Sequence, residues 1–266
     1  MILRCDTLLT VSRYERWNAI LELLAREGRL TVEQAAEGLD VSTATIRRDF
    51  DQLAQQQMLM RTRGGAVAQS VSYDLPLRYK TARHAGEKQR IAEAAAALAA
   101  PGAIVGMNGG TTTSEVARAL AVRADPEFGF TVVTNALNIA AELTVRQNVK
   151  IVVTGGVARP QSYELIGPLA SEVLEQITLD IAFLGVDAID AGAGAFAHHE
   201  GEASVNGLLI GRAAEVVVVA DASKVGRRAF ARICTLDAVG TLVTDEGLSA
   251  EDADRFADAG VKVVRA

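Results

Sequence analysis

Two groups of residues in this chain have types and spacings that can do chemistry. The first is the run 41–49, V-S-T-A-T-I-R-R-D. Arg47 and Arg48 carry guanidinium forks that suit guanine edges or phosphate oxygens, and the hydroxyls of Ser42, Thr43 and Thr45 can reach a base or a backbone oxygen. The second is the run 108–113, N-G-G-T-T-T. Its glycines let backbone approach a ligand closely, while its amides and three hydroxyls suit an anion at the start of a helix. The first group points to nucleic acid and the second to a phosphate.

The two arginines can enter a groove only from a helix whose opposite face is buried. Ser42 is a good N-cap, and Ile46, Phe50 and Leu53 recur at i, i+4, i+7, which predicts a helix starting at Ser42 with that stripe inside. Ile20, Leu21, Leu23 and Leu24 predict an earlier helix closed by Glu27 and Gly28, and Thr31 with Gln34 has the side-chain types of a capping box. With a short turn at Leu39 and Asp40 between them, the two later helices follow the helix-turn-helix plan. M-L-M-R-T-R at 58–63, followed by Gly64 and Gly65, predicts a small hairpin, a wing bringing Arg61 and Arg63 toward phosphates. Asp49 would be repelled by phosphate and is expected to hold a neighbouring arginine instead. The competing reading of the same periodicity is an ordinary helical pair with solvated arginines.

Residues 16–67, with L-T-V-E-Q-A-A-E-G-L-D-V-S-T-A-T-I-R-R-D-F-D-Q-L and then M-R-T-R-G-G-A-V, closely resemble the winged helix-turn-helix of the DeoR family of bacterial transcriptional regulators. The resemblance implies groove-reading and phosphate-positioning roles for Ser42, Thr43, Thr45, Arg47 and Arg48, with Arg61 and Arg63 in the wing.

A length of 266 residues suits a small head and a larger body. Residues 1–70 hold nine basic and nine acidic side chains, so 71–266 carry eighteen and twenty-four, the whole of the net charge of −6. A neutral head places the case for DNA on local arginines, and an acidic body excludes a chromosome-coating structural protein. Cys5 and Cys234 are far apart and without ligand spacing, which fits a reducing cytosol and neither a disulfide nor a zinc site. Met1 to Thr10 lacks the marks of a signal peptide, and no run reaches the length of a membrane span, so a cytoplasmic protein is expected, ordered apart from its first ten or so residues and the linker.

The expected organisation is a winged helix-turn-helix at 12–68, a linker at 69–86 where helical periodicity lapses around Pro76, and a body at 87–266. In the body, helices at 87–100, 112–121, 136–143, 169–176, 203–212 and 249–258 alternate with strands at 103–107, 130–134, 150–153, 179–184, 216–220, 241–244 and 261–264. Bare apolar strands separated by helices give an α/β fold with a mainly parallel sheet covered on both faces. Ligands of such sheets sit beyond the strand carboxyl ends. Asn108 with Gly110, Thr111, Thr112 and Thr113, then Asn135, then Gly155 and Gly156, then Asp187, then Lys224, all fall at such ends and are expected to converge on one pocket.

E-K-Q-R-I-A, G-G-T-T-T, T-V-V-T-N, G-G before I-G-P-L-A, D-I-A-F-L-G-V-D-A and A-D-A-S-K resemble, in order, the C-terminal sensor domain of the same family. That resemblance implies a fold like ribose-5-phosphate isomerase and a phosphorylated sugar or related metabolite as effector, with no cofactor. Phosphate would lie on Gly110, Thr111, Thr112 and Thr113, with Asn135, Gly155, Gly156, Asp187 and Lys224 around the rest. One departure is visible: members usually carry Asp-Ser before G-T-T, where this chain has Asn108 and Gly109, leaving recognition of sugar hydroxyls open. His198 and His199 are adjacent and therefore point opposite ways on an extended segment, which favours a mobile loop or lid over a metal site. Asp187 and Asp190 have the spacing of paired acids in sugar-phosphate isomerases, but Ala191 replaces the acid that follows there, so catalysis is not expected. The reading is a ligand-responsive repressor of carbohydrate genes, partnered by operator DNA, by its effector and by further copies of itself, with no membrane; the alternative is an isomerase-like enzyme with an accessory head.

Overall fold

The computed structural model describes residues 13–56, 58–67, 77 and 84–266. The chain divides into two compact units, 1–82 and 83–266. Cys5, the N-terminal segment and most of the expected linker lie outside the described residues.

In the first unit, α1 (Arg13–Glu27) is followed by β1 (Arg29–Thr31), α2 (Val32–Gly38), α3 (Thr43–Gln55), β2 (Met60–Thr62) and β3 (Gly65–Val67). Thr31 and Gln34 form the reciprocal capping box, their side chains each meeting the other's backbone N–H. Ser42 caps α3 by accepting from the Thr45 N–H at 3.2 Å. Ile46, Phe50 and Leu53 are fully buried against Ile20, Leu21 and Leu24 of α1 and Val32 and Ala35 of α2. The wing forms an antiparallel sheet in the order β1-β3-β2, so β1, which the sequence did not suggest, anchors it to the helical core. A side chain at Gly65 would drive into the Leu30 carbonyl, so only glycine lets β3 lie that close to β1.

Asp49 is nearly fully buried on α3 and accepts from Arg16 Nη2 at 3.1 Å and from Trp17 Nε1 at 2.8 Å. Its Arg16 contact is a bidentate ion pair. Asp49 therefore orients α3 on α1, as the arginine-holding role required, with the partner thirty-three residues away in sequence.

The second unit contains a seven-stranded parallel sheet in the order β15-β14-β12-β9-β4-β5-β6. These strands are β4 (Ile104–Met107), β5 (Phe130–Thr134), β6 (Val149–Val153), β9 (Leu179–Gly185), β12 (Ala213–Val219), β14 (Thr241–Thr244) and β15 (Lys262–Arg265). Helix α4 (Ala85–Ala96) precedes them, and α5 (Thr111–Arg123), α6 (Leu137–Leu143), α7 (Pro168–Leu174), α8 (Glu200–Ile210) and α9 (Ala250–Asp258) lie between them in sequence. Apolar side chains on the two sides of the sheet form two separate clusters, one around Ile91, Met107, Leu120 and Phe183, the other around Leu179, Leu184, Leu209 and Val218. That is why the strands read as unbroken apolar runs. From β4 the chain proceeds outward through β5 and β6, then returns to the other side of β4 for β9 and beyond. The β4/β9 junction is thus the point where strand order reverses, and ligand crevices of open α/β sheets form there.

Two features were not expected from sequence. A hairpin of β7 (Val157–Ala158) and β8 (Leu165–Ile166) stands after β6, and a small antiparallel sheet joins β10 (Ala188–Asp190), β11 (Gly194–Ala197) and β13 (Ala231–Cys234). Their strands are too short to show alternation, and β11, G-A-F-A, is buried throughout. Helix α8 begins at Glu200, three residues before the expected start, because the His199 imidazole caps it, Nδ1 accepting from the Gly201 N–H at 3.1 Å. The expected loop or lid at 197–202 is instead the end of β11, a two-residue bend and the first turn of α8.

Replacing Asp49 with alanine should destabilise the head by about 2 kcal/mol, because it strips a part-buried guanidinium and a buried indole N–H of their shared acceptor. Trp17 is the single tryptophan, so its fluorescence in a denaturant titration reports this unit; an unshifted midpoint would refute the role given to Asp49.

Candidate functional site

On α3, Thr43, Ala44, Arg47 and Arg48 are exposed. Arg47 and Arg48 make no hydrogen bond or ion pair among the described residues, so both guanidiniums are available. The Ser42 and Thr45 hydroxyls bond to each other at 2.9 Å, and the Ser42 hydroxyl caps the helix. Arg61 is held within the head: its guanidinium stacks 5.4 Å from the Phe50 ring centroid, donates to Gly65 O at 3.2 Å and pairs with Asp51 at 3.0 Å. It braces the wing against α3. Arg63 sits in the exposed wing turn beside Gly64, whose φ of +88° marks the reversal.

In the body, Asn108 leaves the end of β4 and spans the strand-order reversal. Its Nδ2 donates to Gly185 O at 2.9 Å and its Oδ1 accepts from Gly185 N at 2.8 Å, joining β4 to β9 one step beyond their ladder. Gly110 follows at φ +137° and opens α5, whose first amides face outward from the helix start. The Thr113 hydroxyl donates back to Gly110 O at 3.2 Å and its methyl group lies where a Gly185 side chain would be. The Thr113 hydroxyl proton is thus spent inside the turn.

Asn135 ends β5, fully buried, and meets the same neighbourhood from the other side. Gly155 and Gly156, both at positive φ, turn the chain from β6 into the β7/β8 hairpin. A side chain at Gly156 would come within 2.8 Å of Ile166 O. Asp187 follows β9 and accepts from the His198 N–H at 2.9 Å, while Asp190 accepts from the Gly192 N–H and from Arg228, so the two acids serve separate turns. Lys224 ends the 3-10 turn Ala222–Lys224, which Asp221 caps by accepting from the Ser223 N–H. Of the expected set, Asn108 and Asn135 are linked by a common neighbour.

That neighbour is Glu164, which sequence reasoning missed. It sits at the end of the β7/β8 loop and is almost wholly buried. Asn108, Asn135 and Asn206 all direct amide nitrogens at its carboxyl group, at 3.4, 3.2 and 3.2 Å. Gly109 makes room for it: a side chain there would come 2.6 Å from Glu164 Cγ. Burial, and then the charge of nearby Glu202, push the Glu164 carboxyl up to about 8, against the pull of the asparagine amides. Glu202 itself is buried and paired with Arg159 at 3.0 Å. An isolated acid between two short strands carries no periodic signal, which is why it escaped notice; the one available hint was a glycine at 109 in place of a larger residue. Among the described residues no group of three or more His, Cys, Asp and Glu could hold a metal, and burial raises the Cys234 thiol above its ordinary range.

The DeoR-like helix-turn-helix domain model matches residues 16–71, and the DeoR C terminal sensor domain model matches 83–246. Over 252 residues the chain is 36% identical to the HTH-type transcriptional regulator GlpR of Haloferax volcanii, covering 94% of this chain and 96% of that protein. It is 32% identical over 231 residues to the glycerol-3-phosphate regulon repressor of Escherichia coli strain K12, covering 87% and 90% respectively. Among solved structures, ribose 5-phosphate isomerase A from Methanocaldococcus jannaschii is similar over 53% of this chain and 55% of that one, at 19% identity and a TM-score of 0.42.

The Glu164 carboxyl sets a pH dependence. Its folded value of about 8 exceeds the ordinary 4.5, so between those limits the folded body holds a proton that the unfolded chain has released. Raising pH through that window therefore removes stability, and below it the cost vanishes. Melting of the body should fall between pH 5 and 8, and Glu164→Gln should flatten the slope; a variant with the wild-type slope would assign the effect to another group.

Proposed function

The chain belongs to the DeoR family of transcriptional regulators, and from that membership we propose that it represses carbohydrate-metabolism genes. The head binds operator DNA in the cytoplasm, and a phosphorylated sugar or related metabolite in the body controls that binding. The observation that carries the DNA half is the pair of exposed, uncommitted arginines, Arg47 and Arg48, on a capped helix whose other face is locked by Asp49. The observation behind the effector half is the glycine-threonine loop opening α5 at the reversal of strand order. The E. coli relative is named for the regulon of a small phosphate ester, which agrees with an anion at that loop.

Repression rather than isomerisation is favoured by the kind of protein the relatives are. It is also favoured by the separate turns to which Asp187 and Asp190 are bonded. A single winged head makes few base contacts, so selective binding calls for at least two heads on repeated half-sites and for self-association of the chain. No helix among the described residues is long and apolar enough to cross a membrane.

In this reading the anion rests on the Gly110 to Thr113 backbone, and Lys224, Asp187, Asn135, Gly155 and Gly156 complete the pocket. Lys224→Ala should lose response to phosphate esters while keeping operator affinity, since the change is confined to the body. DNA binding measured with and without a panel of sugar phosphates decides it: equal response in both proteins would place the ligand elsewhere.

Arg47→Ala and Arg48→Ala should each weaken binding to the DNA upstream of the protein's own gene by about 1 to 3 kcal/mol at fixed salt. The head should stay folded, because neither side chain reaches the core. Wild-type affinity in both variants would remove α3 as the reading element.

A further inference from the structure

We propose that Glu164 and the Asn135 carboxamide read a hydroxyl of the effector beside the phosphate loop, which makes the ligand a polyol or sugar phosphate rather than a bare phosphate. The proposal rests on the effector site described above and extends it to two groups with unmet hydrogen-bonding capacity.

The first is Glu164. It reaches over Gly109, the residue before the anion loop, where a Cβ would lie 2.8 Å from Glu164 Oε1. Whatever carbon skeleton is joined to a phosphate on residues 110–113 must begin close to this carboxyl group. The carboxyl is bonded by neutral side-chain amides at 3.2 to 3.4 Å, longer than the roughly 2.7–2.9 Å of a charge-assisted bond, and by the Gly109 backbone N–H. No cationic side chain is bonded to it among the described residues. A buried carboxyl in this setting can bond a hydroxyl as acceptor when ionised or as donor when protonated.

The second group is independent of the first. Asn135 is fully buried, and while its nitrogen is shared among Glu164, Leu165 O and Asn206, its Oδ1 has no partner. A buried amide oxygen left bare is rare, because water has been removed and nothing has replaced it. It lacks a donor. The missing group must therefore donate, which the oxygens of a phosphate dianion cannot do and a hydroxyl can. The amides of Asn108, Asn135 and Asn206 hold the carboxyl in place. The three arise from the ends of β4 and β5 and from α8, so the site is assembled by tertiary structure and is held ready before ligand arrives.

A site built to bond a hydroxyl rejects an analogue that lacks it, since its own buried groups then stay unpaired. The experiment is isothermal titration of the full chain with inorganic phosphate, propyl phosphate, glycerol 3-phosphate, ribose 5-phosphate, fructose 1-phosphate and glucose 6-phosphate. The wild type should bind at least one hydroxylated ester roughly 10- to 100-fold more tightly than propyl phosphate. In Glu164→Ala and in the near-isosteric Glu164→Gln that preference should shrink to about threefold or less, the loss falling on hydroxylated esters and sparing inorganic phosphate. Should the alanine variant fail to fold, the glutamine variant and the wild-type preference still decide. Variants that keep the full preference would overturn the role of Glu164 and leave the phosphate loop standing. Propyl phosphate binding the wild type as tightly as every hydroxylated ester would overturn hydroxyl reading altogether. Failure of the wild type to bind any ester or inorganic phosphate would overturn the effector site itself, and this inference with it.

Discussion

The Asn108 carboxamide, bonded through both its nitrogen and its oxygen to the backbone of Gly185, is the contact on which the sensor body turns. Strands β4 and β9 are neighbours whose connections leave in opposite directions, so their ends separate and leave backbone groups that no further rung can satisfy. A carboxamide supplies one donor and one acceptor in the spacing of a peptide group and stands in for that rung. A carboxylate at the same place could accept from the Gly185 N–H but would face the Gly185 carbonyl with like partial charge and no proton to share. Asparagine in place of the family's usual aspartate is therefore a structural requirement of this crevice as built here, and it frees the Asn108 nitrogen to serve Glu164 as well.

The head solves a comparable positioning problem with a charge. A recognition helix must hold its exposed side chains at a fixed angle, yet its buried face offers only apolar contacts that tolerate sliding. Asp49 removes that freedom, because the Arg16 fork and the Trp17 N–H accept only one placement of its carboxylate. Arg61 fixes the wing in the same frame through Phe50 and Asp51, both on α3. The arginines nearest the phosphates by sequence are thus of two kinds: Arg61 orders the surface, while Arg47, Arg48 and Arg63 are left to meet a partner.

Legibility in the sequence followed the periodic or positional signal that each element carries. The α3 stripe, its Ser42 cap, the Thr31 capping box and the apolar strands that alternate with helices in the body all leave such marks, and the structure has them within a few residues of the expected bounds. The short antiparallel strands β7, β8, β10, β11 and β13 follow no such alternation with helices and leave none. Site residues on backbone signals, the glycines and threonines at 110–113, were visible because a strand-to-helix turn needs glycine. Glu164, Asn206 and the Arg159–Glu202 pair were not, since they meet only when a hairpin after β6 folds toward α8. Even the Asp49 role was legible only in kind: a like charge beside phosphate had to be doing something else, but nothing local named Arg16.

Gly109 and Glu164 then belong to one solution. Where the family pattern puts an acid at the end of the first strand, this chain puts an amide, and an acid arrives instead from the β7/β8 loop across the space that Gly109 leaves empty. The two placements differ in what can be changed without disturbing the sheet. An acid on the strand end is tied to the backbone geometry of the reversal, whereas one on a surface hairpin of two-residue strands can be exchanged or shifted while Asn108 keeps β4 and β9 joined. The group that joins β4 to β9 is thus separate from the acid that lies over Gly109, and the cost of that separation is a carboxyl buried beside Glu202 and bonded to no cationic side chain among the described residues.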